Sequence, residues 1–181
     1  MNAAQTWLED LLTRLPSTGE AGEAALRYVL ERRVRVRLRR QSSSGARWTL
    51  FGNIELNTSY AAGTNDAYAL SLLVHEVHHL KQGKHLALSV QGELEAWQVQ
   101  FAYLRSLTGN YSPYPQHDAT ISELMALSPS KREHLKQART LMQQFAGKKY
   151  RIDLYPLQPL AREIQLWFKG MSNKSDAENA D

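Results

Sequence analysis

Residues 66–82, DAYALSLLVHEVHHLKQ, decide the architecture, and the rest of the chain can be read outward from them. Asn65 or Asp66 can cap a helix here, and Gly83 stops it. At roughly 100° per residue, Leu70, Leu73, Val77 and Leu80 gather on one side. His75 and His79 fall on the other side, about 40° apart. Histidines four apart stand one turn above the other, so both imidazoles can reach one ion. Glu76 lies beside that face, where its carboxylate can take a proton from a water at the metal. The alternative is a chance H-E-x-x-H match on a solvated helix face, which predicts nothing elsewhere in the chain. A catalytic zinc, by contrast, requires a third protein ligand on a neighbouring element and one open position.

The next segment, about Ser89 to Leu107, is also helical and ends at TGN. Its apolar stripe of Leu94, Trp97, Phe101, Leu104 and Leu107 surrounds the angular position of Glu93, whereas Glu95 falls on the opposite face with Gln98 and Ala102. Periodicity selects Glu93 as the inward carboxylate. An ionised carboxylate on a buried stripe is costly unless a cation compensates it. Either a divalent metal or a salt bridge to a basic residue would serve.

The run His75-Glu-Val-His-His79, followed by Glu93-Leu-Glu-Ala96, resembles the zincin metallopeptidases of the glutamate-ligand type, the gluzincins, and especially their compact single-domain members. The resemblance implies that His75, His79 and Glu93 bind Zn2+ and that Glu76 is the general base. It implies further that the small Ala96 lets the second helix approach the first. Many relatives carry Asp or Asn after that alanine, and here the position is Trp97. The likeness covers about Val34 to Leu107 and extends to the strand Ile54–Asn57, which is similar to the edge strand of these peptidases. Such an edge can pair with an extended peptide through main-chain hydrogen bonds.

Upstream, the period changes from helical to two. Val34, Val36 and Leu38 alternate with Arg33, Arg35, Arg37 and Arg39, which reads as a half-buried strand. The turn QSSSGA and a second strand from Arg47 to about Asn57, interrupted by Gly52, predict an antiparallel hairpin over 33–57. Six arginines lie between Arg32 and Arg40; removing them takes the balance from 22 basic and 18 acidic residues to 16 and 18, from +4 to −2. The basic character is therefore one local feature. Alternating arginines could track phosphates or form a solvated outer face that prevents edge-to-edge association. The second reading is preferred because no aromatic residues interleave with them to stack bases.

The chain has 181 residues, 43% hydrophobic, and no cysteine. That length buries a core without help from a metal, so a metal here would serve chemistry. Absence of cysteine removes disulfide scaffolds, thiolate nucleophiles and Cys-based zinc sites. No apolar run is long enough to span a membrane, and the start MNAAQTWLEDLLTRLP is amphipathic and acidic, so a cytoplasmic protein is expected. Helices are predicted over 3–15 and from Glu20, capped by Thr18, to about Arg32. Further helices are predicted at 119–127, from Ser128 and Pro129 to Phe145, and at 157–168. The expectation is one α+β, zincin-like domain over 1–170. It comprises N-terminal helices over 1–32, a small antiparallel sheet over 33–57, zinc-binding helices over 66–107 and C-terminal helices over 117–169. A disordered tail is expected over 171–181.

His78 and His85 are left out of the ligand set, His78 because it lies about 60° from His75 on the side away from His79. A donor for a developing oxyanion is sought among Tyr60, Tyr68, Tyr103, Tyr111, Tyr114 and His117. Trp7, Trp48, Trp97 and Trp167 are expected in the core. The reading is a zinc metallopeptidase acting on peptide or protein substrates, with no membrane partner and nucleic acid the less favoured one. The competing readings are an inactive zincin-fold binding or regulatory module and a basic nucleic-acid-binding protein with a structural metal.

Overall fold

A computed structural model describes residues 3–42, 44–63, 65–147 and 150–167. It is an α+β protein in which helices outweigh a small sheet. Helices α1 (Ala3–Arg14) and α2 (Glu20–Glu31) come first. Strands β1 (Val36–Arg39), β2 (Ala46–Trp48) and β3 (Ile54–Asn57) follow. The remaining helices are α3 (Asp66–Gln82), α4 (Lys84–Ala87), α5 (Val90–Thr108), α6 (Asp118–Ala126) and α7 (Arg132–Ala146). Residues 160–167 are also helical, while position 168 and the expected tail lie outside the described residues. Among the described residues, no helix is long and apolar enough to cross a membrane.

The sheet corrects the expected antiparallel hairpin. Its order is β1-β3-β2; β2 and β3 are antiparallel, but β1 runs parallel to β3 with Arg37 opposite Glu55. The reason lies at Gly52, whose φ of 76° belongs to a turn that L side chains adopt only with strain. The Gly52 N–H donates to the Thr49 carbonyl at 2.8 Å, and the Thr49 N–H donates to the Asn53 carbonyl at 2.8 Å. The anticipated single strand over 47–57 therefore folds back on itself. Ile54–Asn57 becomes the central strand and not an edge, which corrects the likeness drawn for it, and β1 and β2 are the edges.

Two apolar clusters meet across α3 and α5. One joins α1, α2, the inner face of the sheet and the Leu70, Leu73 and Val77 side of α3. The other joins Leu94, Trp97 and Phe101 of α5 to α6, α7, Ile152 and Leu157. Ser89 caps α5 by accepting the Gly92 N–H at 3.1 Å. Gly92 is required there, because a Cβ would overlap the Leu86 carbonyl oxygen.

Several local expectations change. Thr18 does not cap α2: it ends a 3-10 turn over Leu15–Thr18, donates to the Leu15 carbonyl at 2.5 Å and leaves Gly19 at the cap. The helix expected from Ser128 starts at Arg132, after a turn closed by the Lys131 N–H on the Ser128 carbonyl. Leu157 and Gln158 are buried but not helical. Trp7 and Trp97 pack in or against the core. Trp48 instead lines a cleft, and Trp167 is 62% exposed.

On the outer face of the sheet, Glu55 is 1% exposed, and its cover is a canopy of half-exposed Arg37, Arg39 and Arg47. Arg47 holds it from 2.6 Å, Arg39 from 3.1 Å, and Arg37 in a close ion pair. Burial works to raise this carboxyl, but the hydrogen bonds from Arg37, Arg47 and Arg39 outweigh it and hold it at about 2. Of the alternating arginines, Arg37 and Arg39 lie on this solvated face of β1 and both are committed to Glu55, whereas Arg33 and Arg35 are exposed and precede the strand.

Candidate metal centre

His75 and His79 come one turn apart from the middle of α3, and Glu93 from the first turn of α5; all three are buried. The two Nε2 atoms are 3.0 Å apart. Glu93 Oε2 lies 3.5 Å from His79 Nε2 and 3.9 Å from His75 Nε2. Donors ~2.0–2.1 Å from a tetrahedral ion stand ~3.3 Å from one another, so this triangle matches one face of such a site. Among the described residues it is the group of histidines and carboxylates that could hold a metal ion.

Neighbouring groups set the ligand atoms. Gln82 Nε2 donates to the Gly92 carbonyl and to Glu95, each at 3.0 Å. That turns Gln82 Oε1 towards His79 Nδ1, 3.0 Å away. His79 therefore carries its proton on Nδ1 and presents the Nε2 lone pair to the centre. Glu95 stands outside this group, accepting from Gln82 and Gln91. His78 is half-buried off the centre and His85 is exposed in α4.

The electrostatics suit a cation. Burial, and then His79 opposite it, pull the His75 imidazole down to about 3. Burial alone would lower His79 too, but Glu93 outweighs it and raises this group. Burial would raise Glu93, yet His79, His75 and the Tyr150 hydroxyl together hold it low. Glu76 differs: burial pushes it up to about 7, Glu93 adds to the rise, and His79 and the Trp48 backbone N–H oppose it. A carboxylate poised near neutrality can accept and then return a proton.

Two residues of the site were not visible in the sequence. Tyr150 donates its hydroxyl to Glu93 Oε2 at 2.5 Å and accepts the Trp97 indole N–H at 3.2 Å. Burial and the Glu93 charge raise Tyr150 well above its ordinary range, so it remains a donor. Trp97 thus supports Glu93 through Tyr150. Tyr155 lines the same cleft and is raised by burial, then by Glu93 and Glu76. Neither tyrosine belongs to a periodic stretch, so no sequence signal marked them. Of the six oxyanion candidates, Tyr68 lines the cleft. Tyr103 is bound to Thr18, Tyr111 to Arg105, and His117 packs on Phe145.

The centre opens into a cavity of 680 Å³ lined by Trp97, Phe101 and Phe145, by residues 44–48 and by Leu72, which packs against Gly45. The Asn57 N–H donates to the Gly45 carbonyl and the Thr49 N–H to the Asn53 carbonyl. Antiparallel alternation then turns the main-chain groups of Ala46 and Trp48 to the free edge of β2, along the cleft. No protein-family model, curated protein or solved structure matches the chain.

Proposed function

We propose that this chain is a zinc-dependent peptidase of zincin-like fold, acting on peptide or protein substrates in the cytoplasm. The observation that carries the reading is the buried His75–His79–Glu93 triangle with Glu76, pushed up to about 7, beside it. When bound, zinc acidifies a water and polarises a carbonyl. The chain's own residues supply the rest. Glu76 takes the proton of the attacking water and delivers it to the leaving amine. The β2 edge at Ala46 and Trp48 pairs with an extended peptide backbone and aligns one bond with the centre. The apolar walls exclude water from the far side, which strengthens the charges within. Tyr68 and Tyr155 are the hydroxyls of the cleft available to a developing oxyanion.

The test compares metal content and cleavage of a varied peptide library for wild type, Glu76→Gln, Glu93→Ala and Glu95→Ala. Glu76→Gln should keep its zinc and lose at least about a hundredfold in cleavage, the scale of a missing general base. Glu93→Ala should lose zinc, and Glu95→Ala should retain it. Undiminished cleavage by zinc-loaded Glu76→Gln rejects the base assignment. No cleavage by zinc-loaded wild type leaves a binding module of the same fold.

A further inference from the structure

Trp48, Leu50 and His79 line both the metal cleft and a second, adjoining cavity of 320 Å³. Its walls come from the end of α2, from α4 and from the β2–β3 turn. Arg32, Arg33 and Lys84 contribute charge, Leu50 and Phe51 an apolar rim, and among the described residues no Asp or Glu lines it. All three cations are exposed, and among the described residues no ion pair engages them. They differ in this from Arg37, Arg39 and Arg47, which are gathered on Glu55 on the outer face of the sheet.

Two further observations single out this cavity. Arg33 has a φ of 51°, in the left-handed region, at a helix end where glycine is the usual residue. The Val34 N–H on the Val29 carbonyl, at 2.9 Å, closes that turn. An arginine here costs about 1 kcal/mol of backbone strain that glycine would avoid. Phe51, at the tip of the opposite wall, is 93% exposed. Three cations and an apolar rim thus stand at the Trp48 end of the β2 edge, while Trp97, Phe101 and Phe145 line the metal cleft and not this cavity.

We propose that this cavity is a subsite for an acidic side chain of an extended peptide, so that the preferred substrate carries Asp or Glu on one side of the metal and a bulky apolar residue on the other. The inference rests on the reading that the cleft receives peptide. A polypeptide is favoured over a polynucleotide because the cavity adjoins the β2 edge, where the main-chain groups of Ala46 and the Trp48 carbonyl face outward while the Trp48 N–H is engaged by Glu76; a peptide can match such groups and a phosphodiester chain cannot. The carboxylate replaces the missing counter-charge of Arg32, Arg33 and Lys84, and the rim shields it from solvent.

The experiment uses the full, zinc-loaded chain and measures binding separately from cleavage. Fluorescent peptides with a central phenylalanine and a Glu pair, a Gln pair or a Lys pair on either side are followed by anisotropy, beside a single-stranded oligonucleotide. The Glu peptide should bind about tenfold more tightly than the Gln peptide, the scale of a few exposed charge pairs, and the gap should shrink in high salt. Arg32→Glu/Arg33→Glu/Lys84→Glu should reverse the preference towards the Lys peptide with zinc content unchanged. Lys84→Glu alone should weaken Glu-peptide binding about threefold, a check that does not depend on the triple variant folding. Equal affinity for the Glu and Gln peptides overturns the subsite, as does selective oligonucleotide binding lost in the variants. Charge-selective binding without hydrolysis leaves the subsite standing and removes the peptidase reading; hydrolysis indifferent to charge does the reverse.

Discussion

Tyr150→Phe removes one oxygen from the protein, and that oxygen touches the proposed ligand itself. Its hydroxyl sits 2.5 Å from Glu93 Oε2, the atom that also faces His75 and His79, and is in turn held by Trp97 Nε1 at 3.2 Å. A hydrogen bond to a buried carboxylate is worth about 1.5–3 kcal/mol, and losing such a support typically costs about 10–100-fold in metal affinity. The variant also leaves the Trp97 indole N–H without its partner, at about 1–3 kcal/mol of stability. The two effects can be separated. Trp97→Phe removes the indole donor without touching Glu93, so it should alter stability more than metal affinity. Zinc affinity is read by competition with a chelating dye, and stability by thermal unfolding of the metal-free proteins. Zinc affinity in Tyr150→Phe within twofold of wild type refutes the claim that this hydroxyl orients Glu93.

Glu55 is held at about 2, so its stabilising contribution is complete above the ordinary carboxylate range near 4.5 and is lost as pH falls from there through about 2. Melting temperatures from pH 6 to pH 2 should therefore decline less steeply for Glu55→Gln than for wild type, and parallel curves would contradict the arginine canopy as its cause. Metal binding should depend on pH in the opposite region. Glu93 raises His79 against the lowering effect of burial, so below that raised value a cation must displace a proton from His79. Zinc affinity should rise with pH through and above about 6.5, the free-histidine range, with release of about one proton measured by calorimetry in buffers of different ionisation enthalpy. Affinity flat with pH would contradict it.

The candidate centre was legible because it rests on helical periodicity, a local property. Spacing of four brings His75 and His79 to one side of α3, and the apolar stripe of α5 turns Glu93 inward and Glu95 outward, whatever lies elsewhere in the chain. The α+β class followed from the same change of period near Val34. The sheet was not legible in the same way. Whether β1 lies beside β2 or β3 depends on the turn at Gly52, which frees one side of β3, and on burial of Ile54 and Leu56 beneath it. Alternation along one strand shows which side faces the core but carries no information about its partner. Least visible were contacts across long stretches of chain. Tyr150 reaches Glu93 over 57 residues from a segment with no periodicity, and Arg33 and Lys84 meet in one cavity from the ends of separate helices. Local spacing determined which side chains could share an ion; tertiary packing alone decided what supports them and what lies on either side, because those neighbours are chosen by the way whole elements exclude water together.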